Sequence, residues 1–446
     1  MSVFKAYDVR GKYPEEVNEK LAYEIGRAMI LLLKAKEFLI CQDARQGSKE
    51  LSDALIKGIT DQGANATYCG LTTTPMFYYL KYKKGFDAGV MITASHLPSG
   101  FNGLKAMKSG RTFMGYDSGY KEIEELINSG ELKRTPLAKK KGTTRKENYE
   151  DEYINFITSK IIGDVSGLKI VVDASNGMAG PIAKKVLEKA RVDFVGLNIN
   201  YNLEKPAHGL NPLEHDAQEQ IKKKIKDENA SLGAIFDADA DRVLFVDEKG
   251  EFLPGDYTLA ILVENLAKPR DKIVHDLLCG RALREVIKKK KCIPIMTRVG
   301  HVFLKKSMVD NDARFGAEAS GHMYFQEAGG AESTILCMLH MITILKKQNK
   351  PLSELVKPLK ESWIKSEELN YEFESNELKD KKIEEVTKAF SNAKQSKMDG
   401  VTVEYDDKWF NVRKSNTESV IRLRIEAKTP IILRDIMKKI EGILKK

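Results

Sequence analysis

The sequence predicts an α/β protein built from three related α/β domains and a C-terminal α+β domain. Short β-rich apolar runs alternate with longer amphipathic runs, which is the pattern of α/β folds. A unit of strand, Gly- or Ser-containing loop and helix recurs three times, which indicates duplicated domains. After Pro358 the pattern changes to alternating strands separated by turn residues. At about 150 residues per domain, a chain of 446 residues has room for this arrangement.

The first predicted domain, residues 1–145, begins with a helix whose apolar residues, among them Leu21 and Ile25, repeat at helical spacing. Its predicted elements are helix 15–34, strand 38–41, helix 48–62, strand 89–94 and a helix near 117–129. The lysine-rich stretch 132–148 contains Pro and Gly, and we interpret it as a linker.

The same pattern restarts in residues 146–252 and again in residues 253–360. The second domain has predicted strand 168–173, helix 181–190, strand 232–236 and a hairpin of strands 243–246 and 251–253. The third has helix 256–267, strand 272–277, helix 281–290 and strand 292–297, which we expect to lead into the loop 316–322. The fourth domain, residues 361–446, has predicted strands 401–405, 409–413 and 420–427 and helix 431–445.

Composition narrows the class of protein. The chain is 42% hydrophobic and 31% charged, which is near the globular norm. Its net charge of +9 allows anionic partners without identifying one, because both signs are abundant. The longest apolar stretch, 335–345, contains His340 and Thr343 and is shorter than the roughly 20 residues of a membrane span. The N-terminus has no apolar signal segment, and the five cysteines are scattered without a CxxC pair. We therefore expect a cytoplasmic protein without a disulfide framework or a zinc site.

Three aspartates, Asp237, Asp239 and Asp241, follow the predicted strand 232–236 at alternating positions. On extended backbone, alternate side chains project to one side, so we expect the three carboxylates to converge. Converging carboxylates need a hard cation, and ligation by oxygen alone favours Mg²⁺ or Ca²⁺. An EF-hand loop is set aside because Arg242 stands where that loop needs Gly. The alternative is a solvated acidic turn.

Ser95 lies in the stretch 93–100, at the end of predicted strand 89–94, where α/β proteins place their ligands. A serine there can act as a nucleophile or carry a phosphate, with His96 beside it. Its neighbours do not fit the G-x-S-x-G pattern of Ser-His-Asp hydrolases. Taken alone, the stretch also fits an ordinary turn serine.

Two further loops carry groups that suit a sugar phosphate. Loop 318–322 offers the carboxylate of Glu318, the hydroxyl of Ser320 and the imidazole of His322, which can hydrogen-bond sugar hydroxyls. Loop 413–417 combines two cations, two hydroxyls and an amide, which suit a phosphate. The alternatives are an ordinary polar loop and a solvated hairpin turn.

Taken together and in this order, the four loops resemble those of the α-D-phosphohexomutase superfamily, and specifically its phosphomannomutase/phosphoglucomutase branch. The resemblance spans nearly the whole chain. The stretches that carry it are 4–11, 93–96, 102–105, 173–180, 211–212, 237–242, 297–301, 316–322 and 413–417.

This resemblance implies four domains, the first three with mixed sheets, in a heart shape around a central cleft to which each domain contributes one loop. It implies that Ser95 is a phosphoserine whose phosphate joins Asp237, Asp239 and Asp241 around Mg²⁺. Glu318 would bind sugar hydroxyls together with Ser320. The substrate's distal phosphate would be held by Arg413, Ser415, Asn416 and Thr417. The other matching cleft positions are Tyr7, Arg10, His96, Lys105, Arg242, His301 and His322.

The activity that the resemblance implies is the interconversion of hexose 1-phosphate and hexose 6-phosphate, with mannose or glucose as the sugar. The phosphoserine would give its phosphate to the 6-hydroxyl, the resulting 1,6-bisphosphate would turn around, and Ser95 would take back the 1-phosphate. A hexose 1,6-bisphosphate would therefore prime the enzyme. Lys105, His301 and His322 all remain candidates for the proton acceptor. We expect a monomer or a small homo-oligomer without nucleic-acid or membrane partners.

Three other functions stay open at this point. A phosphoglucosamine mutase shares the superfamily and differs in the sugar loop, where loop 318–322 resembles the mannose/glucose version. A catalytically silent sugar-phosphate binder is disfavoured because Ser95 and the three aspartates are present. A nucleic-acid binder is suggested by the lysine runs 139–141, 222–224 and 288–291, but these runs lack interleaved aromatic residues. One departure from the family concerns the serine loop, where Leu97 replaces the usual Asn and leaves the fine geometry open.

Overall fold

Three mixed sheets follow one another along the chain, and an antiparallel sheet ends it. The computed structural model describes residues 2–161, 163–415 and 419–445. The predicted fold class of three related α/β domains and a C-terminal α+β domain is confirmed. The exact domain boundaries proposed above stay predictions.

The first domain contains a sheet flanked by helices. Its strands are β1 (Val9–Lys12), β2 (Glu37–Gln42), β3 (Asn65–Leu71), β4 (Ala88–Ile92), β5 (Phe101–Lys108), β6 (Thr112–Phe113) and β7 (Thr144–Lys146). Its helices are α1 (Glu19–Leu33), α2 (Ser48–Asp61), α3 (Thr74–Lys84), α4 (Tyr120–Asn128) and α5 (Glu131–Arg134). The predicted linker 132–148 is partly wrong, because β7 lies within it and pairs with β3 in parallel.

The second and third domains repeat one arrangement. The second has β8 (Lys169–Asp173), β9 (Asp193–Leu197), β10 (Leu232–Phe236), β11 (Val243–Val246) and β12 (Phe252–Leu253), with α6 (Glu150–Thr158), α7 (Ala179–Ala190) and α8 (His215–Glu228). The third has β13 (Lys272–Asp276), β14 (Ile293–Thr297), β15 (Phe315–Ala317), β16 (Met323–Phe325) and β17 (Ala331–Glu332). Its helices are α9 (Gly255–Leu266), α10 (Arg281–Lys289), α11 (His301–Asn311), α12 (Thr334–Gln348) and α13 (Leu352–Ser362). Helix α11 and strand β15 separate β14 from loop 318–322, so the expected direct connection is wrong.

Strand order shows that the three domains are related. The second sheet runs β9-β8-β10-β11-β12 and the third runs β14-β13-β15-β16-β17. In both, the first two pairings are parallel and the last two are antiparallel. The first sheet contains the same core as β3-β2-β4-β5, with two parallel pairings and then an antiparallel one. The repeated unit read from the sequence is therefore a repeated topology.

The fourth domain has its own sheet and its own core. Its elements are β18 (Ile364–Lys365), β19 (Leu369–Glu372), α14 (Asn376–Ala389), β20 (Lys394–Ser396), β21 (Val401–Glu404), β22 (Lys408–Lys414), β23 (Val420–Ala427) and α15 (Pro430–Leu444). A cluster of buried apolar residues lies between its sheet and helices, whereas one larger cluster runs continuously through the first three domains. Among the described residues, no helix is both long and apolar enough to cross a membrane.

Candidate active site

Three candidate loops occupy the same connection in three related domains. The serine loop joins β4 to β5, the acidic loop joins β10 to β11, and loop 318–322 joins β15 to β16. Each connection links the third strand of the shared topology to the antiparallel strand that follows it. Because the connections are equivalent, the duplicated fold presents a polar loop at the same place three times.

Ser95 is held in an uncommon backbone conformation. Its φ is +54°, in the left-handed region, and the residue is only 2% exposed. Its N–H donates to Oγ1 of Thr93 at 2.9 Å, and its own Oγ lies 3.4 Å from Nδ1 of His96. Burial, together with Arg242 and Arg10, lowers the pKa of His96 well below its usual value, so that the ring beside Ser95 is neutral.

The acidic loop is a turn, and the predicted extended backbone is wrong. The N–H of Ala240 donates to the carbonyl of Asp237 at 3.1 Å, and Ala240 has a φ of +66°. The three aspartates converge nevertheless, because the turn winds them toward one point. One carboxylate oxygen of each lies within 4.8 Å of the others, and all three residues are buried.

These carboxylates suit a divalent cation. One oxygen of each (Asp237 Oδ2, Asp239 Oδ1 and Asp241 Oδ1) is buried without a hydrogen-bond partner among the described residues. Burial, reinforced by Asp241 and Asp239, raises the pKa of Asp237 well above its usual value. Oxygen-only donors of this kind are the ligands that Mg²⁺ prefers.

Lys105 of the first domain reaches the acidic loop of the second. Its Nζ donates to Oδ2 of Asp239 and to Oδ2 of Asp241, both at 2.6 Å. Arg10 lies near the same charges. Burial alone would lower the pKa of Arg10, but Asp8, and to a smaller extent Asp239 and Asp241, raise it. The guanidinium group therefore stays charged. The serine-bearing domain therefore supplies cations to the acidic loop.

Arg242 and His322 form a contact between the second and third domains. Nε of Arg242 donates to Nε2 of His322 at 2.9 Å, so this ring nitrogen carries no proton. Nδ1 lies 3.1 Å from the carbonyl oxygen of Asp241 and donates to it. Burial lowers the pKa of His322 well below its usual value, which agrees with a neutral ring.

His301 and Tyr7 line the space next to this contact. The rings of His301 and His322 are 5.9 Å apart, and Tyr7 meets His301 edge-on at 5.4 Å. Both ring nitrogens of His301 are buried without a partner among the described residues, and burial lowers its pKa well below the usual value. A Cβ at Gly300 would lie 2.6 Å from the Tyr7 hydroxyl oxygen, so this position needs glycine.

The candidate sugar loop holds a carboxyl group with an unusual pKa. Ser320 donates to Oε2 of Glu318 at 3.1 Å, and the hydroxyl of Tyr324 lies 3.3 Å from Oε1. Burial, reinforced by Asp276, raises the pKa of Glu318 to about 8. The group can thus change its charge near neutral pH when a ligand binds.

The candidate phosphate loop of the fourth domain contains Arg413, which is 4% exposed. Glu368 contacts two guanidinium groups, with Oε2 lying 3.5 Å from Nη2 of Arg413 and Oε1 lying 2.9 Å from Nη1 of Arg422. Ser415 donates its N–H to the carbonyl of Val420 at 2.9 Å. The predicted ligands Asn416 and Thr417 lie outside the described residues.

Sequence reasoning missed several residues that hold the site together. Thr74 and Thr334 donate hydrogen bonds to the acidic loop, and Arg45 donates to the serine loop. Lys305 forms an ion pair with Glu332, whose carboxylate lies next to His322. A signal existed for Thr74, because Thr73 caps α3 and Pro75 follows in its first turn, which marks a helix start. Thr334, Arg45 and Lys305 could not be recognised from their neighbours in the sequence, because only their distant partners give them a role at the site.

Comparison with known proteins agrees with this geometry. Four family models match successive stretches: Phosphoglucomutase/phosphomannomutase, alpha/beta/alpha domain I over residues 1–134, domain II over 151–250, domain III over 254–362, and the C-terminal domain over 368–443. The chain is 34% identical to a phosphomannomutase of Methanocaldococcus jannaschii, covering 100% of this chain and 98% of that protein. It is 31% identical to a phosphomannomutase/phosphoglucomutase of Pseudomonas syringae pv. tomato, covering 100% and 95%. A solved phosphoglucomutase/phosphomannomutase family protein from Burkholderia thailandensis superposes with a TM-score of 0.90 at 26% identity, covering 100% of this chain and 97% of that one.

Proposed function

The chain belongs to the phosphoglucomutase/phosphomannomutase family and interconverts hexose 1-phosphate and hexose 6-phosphate, and we propose that Ser95 carries the phosphoryl group between the two positions. The observation that carries this proposal is the meeting of two domains at one site. Lys105, from the domain that bears Ser95, bonds two carboxylates of the acidic loop. The charges of Lys105 and Asp241 also act on His96, the residue next to Ser95, which supports placing the proposed nucleophile beside the acidic loop.

Mg²⁺ would be held by Asp237, Asp239 and Asp241 together with the phosphate on Ser95, since the buried, unpartnered oxygens of the loop suit it. When bound, the ion offsets negative charge on the transferred phosphoryl group. Arg242 would add a fixed positive charge beside it, oriented by its bond to His322. Phosphoryl transfer depends mainly on such positioning and charge neutralisation.

Substrate would be held at both ends. Glu318 and Ser320 would bind sugar hydroxyls, and Arg413, Ser415, Asn416 and Thr417 would hold the phosphate that is not reacting. Two arginines already meet a carboxylate in the fourth domain, which supports an anion site there. Since the bisphosphate must turn around, the same anion site would accept either end of it.

In the first half-reaction, the 6-hydroxyl oxygen of a hexose 1-phosphate would attack the phosphorus on Ser95. The bond from phosphorus to the serine Oγ would break, the hydroxyl proton would pass to a protein base, and the freed Oγ would take up a proton. His301 is the candidate that the geometry favours, because its ring nitrogens have no partner among the described residues, whereas Lys105 and His322 are already hydrogen-bonded. In the second half-reaction, Ser95 Oγ would lose its proton and attack the phosphorus of the 1-phosphate. The bond from that phosphorus to the oxygen on C1 would break, this oxygen would take up a proton, and hexose 6-phosphate would leave. A hexose 1,6-bisphosphate would therefore prime unphosphorylated enzyme.

Mannose and glucose phosphates are the proposed substrates, and the cytoplasm is the proposed location. Charged phosphates do not cross a bilayer unaided, because moving an ion into an apolar medium is costly. An enzyme that acts on them therefore works where they are retained.

The test is mutase turnover on mannose 1-phosphate, glucose 1-phosphate and glucosamine 1-phosphate in parallel, with Mg²⁺ and a hexose 1,6-bisphosphate. We expect turnover of the first two and little of the third. Dominant turnover of glucosamine 1-phosphate would favour the phosphoglucosamine mutase alternative.

Ser95→Ala should abolish turnover while sugar-phosphate binding persists, and full activity of this variant would remove Ser95 from the mechanism. Chelation should stop turnover reversibly, and activity that survives chelation would discard the aspartate assignment.

A further inference from the structure

A buried arginine lies against the serine loop from within the first domain. Arg45, which follows β2 and is 5% exposed, donates from Nη2 to the carbonyl oxygens of Ser95 and Leu97, the latter at 2.6 Å. Its Nη1 donates to the carbonyl oxygen of Pro98 at 3.0 Å. One guanidinium group thus binds three carbonyls within four consecutive residues.

Asp43 fixes this guanidinium in place. Its Oδ2 lies 3.2 Å from Nε of Arg45, and its Oδ1 accepts from the N–H of Arg45 at 3.0 Å and from the hydroxyl of Ser48 at 2.7 Å. The pair is buried, so the carboxylate balances the arginine charge where water cannot. Asp43 therefore orients the arginine and balances its positive charge.

These contacts account for the backbone at Ser95. A left-handed conformation at a non-glycine residue costs on the order of 1–3 kcal/mol and persists only where the surroundings hold it. Thr93 accepts the N–H of Ser95 and Arg45 binds its carbonyl, so both adjoining peptides are fixed. Since Arg45 binds main-chain oxygens, these contacts do not require the Asn side chain that the family usually has at the position of Leu97.

We propose that Arg45 is a positioning residue for phosphoryl transfer, which holds Ser95 Oγ in place and draws three carbonyl oxygens away from the phosphate. The inference rests on the proposed role of Ser95. Carbonyl oxygens aimed at a phosphate would repel it, whereas carbonyls bound to a cation do so less. Because Arg45 binds the loop, its loss acts on the transfer step and leaves sugar-phosphate affinity nearly unchanged.

The test uses Arg45→Met and Arg45→Lys, with Arg27→Met as the matched control. Arg27 is 8% exposed and also donates to a main-chain carbonyl, that of Thr135, at 2.7 Å, but it lies on α1 and does not contact the serine loop.

The readouts are the rate at which glucose 1,6-bisphosphate phosphorylates the protein, followed by intact mass, and the separate values of kcat and KM. We expect Arg45→Met to lose about a hundredfold in phosphorylation rate and kcat, because small misplacements of reacting atoms cost that much. Its KM should stay within about threefold, and Arg45→Lys should lose less.

Arg27→Met should lower the melting temperature without slowing phosphorylation. Phosphorylation of Arg45→Met at the wild-type rate, or an equal loss in Arg27→Met, would overturn the inference. If the Arg45 variants do not fold, Leu97→Ala decides: a rate within about threefold of wild type is expected, and a much larger loss means that the side chain holds the loop. A wild-type protein that takes up no phosphate would instead refute the role of Ser95.

Discussion

The hydroxyl of Thr74 in the first domain donates a 2.6 Å hydrogen bond to Oδ2 of Asp239 in the second. The N–H of Thr74 also donates to the carbonyl of Asp239 at 3.0 Å, so the N-terminus of α3 meets this aspartate with two donors. Thr334, at the start of α12, donates to the carbonyl of Ala240 at 2.6 Å. Two helix N-termini from outside the second domain thus hold the acidic loop, and their partial positive charge favours its carboxylates.

The first prediction concerns Thr74→Val, which removes the hydroxyl and keeps the shape of the side chain. A residue that orients a metal ligand typically contributes about tenfold to a hundredfold in metal affinity. We therefore expect the Mg²⁺ concentration for half-maximal activity to rise by about tenfold. KM for the hexose phosphate should change little. A magnesium titration of the initial rate measures both.

Thr258→Val is the matched control for this experiment. Thr258 is 1% exposed and its hydroxyl has no partner among the described residues, so its removal should leave the magnesium titration unchanged. An unaltered magnesium requirement in Thr74→Val would show that the bond to Asp239 does not tune the site.

The second prediction concerns the buried ion pair of Lys305 and Glu332 in the third domain, whose lysine also reaches Tyr78 of the first domain. Nζ of Lys305 donates to Oε1 of Glu332 at 3.0 Å and to the hydroxyl of Tyr78 at 3.1 Å, and neither charged side chain is exposed. Removing one member leaves a buried charge without its counterion. Lys305→Met should therefore lower the free energy of unfolding by about 3–5 kcal/mol. Denaturant titration measures the loss.

Lys306→Met provides the comparison, because Lys306 is the next residue on α11 and its side chain is 71% exposed. Its ion pair with Asp310 lies at the surface, and we expect a change of less than about 1 kcal/mol. Adding Glu332→Gln to Lys305→Met should recover part of the loss, since the unpaired charge is then gone. Equal stability of the two lysine variants would contradict the prediction.

The convergence of the acidic loop could be predicted because its signal is local. The role of Ser95 was also read from a local signal, and it stays a prediction. Asp237, Asp239 and Asp241 stand within five residues after an apolar strand, so a short connection to the next strand keeps their carboxylates close together. The backbone between them could not be predicted, since the turn at Ala240 is held by Thr334, almost a hundred positions later in the chain. The contacts of Arg45 with the serine loop are likewise set by tertiary packing.

Two of the elements that were missed, β7 and α11, had no clear apolar pattern to reveal them. Strand β7 is exposed at all three residues, as an edge strand can be, and reads as a linker. Helix α11 buries Leu304, Lys305 and Met308, and the lysine interrupts the apolar face by which a helix is recognised. The partners that make a buried lysine acceptable, Tyr78 and Glu332, become visible only in the folded protein.

The third prediction is a pH dependence of sugar-phosphate binding that depends on Glu318. Its pKa of about 8 means that the carboxyl is mostly protonated at neutral pH. Sugar hydroxyls donate more strongly to the ionised form, so binding should lower this pKa and release a proton. Affinity should rise as pH increases toward 8 and level off above it. The substrate phosphate, with a second pKa of about 6, is already doubly charged over most of this range.

Calorimetry on the Ser95→Ala background, which prevents turnover, checks this prediction. Measurements in buffers of different ionisation heat count the protons released, at saturating Mg²⁺ and between about pH 7 and 9. Glu318→Gln should bind more weakly and lose the proton release over this interval. Wild-type-like proton release in Glu318→Gln would assign the dependence to another group.

The fourth prediction concerns Glu368, whose carboxylate already bridges Arg413 and Arg422 in the fourth domain. Arg413 and Arg422 are directly paired across β22 and β23, so both guanidinium groups lie on one face of the sheet. A substrate phosphate that binds Arg413 must compete with this internal anion. Glu368→Gln removes the negative charge and keeps the size of the side chain. We therefore expect KM for the hexose phosphates to fall by about fivefold, equivalent to about 1 kcal/mol.

The matched control is Glu367→Gln, which removes the same charge from the neighbouring, exposed position. A general effect of net charge on anionic substrates would lower KM equally in both variants, whereas competition for Arg413 lowers it only in Glu368→Gln. Steady-state kinetics at several ionic strengths separates the two further, because salt screens the long-range effect more than a contact. An increase of KM in Glu368→Gln would mean that the carboxylate orients the two arginines for the phosphate, and competition between Glu368 and the substrate would then be rejected.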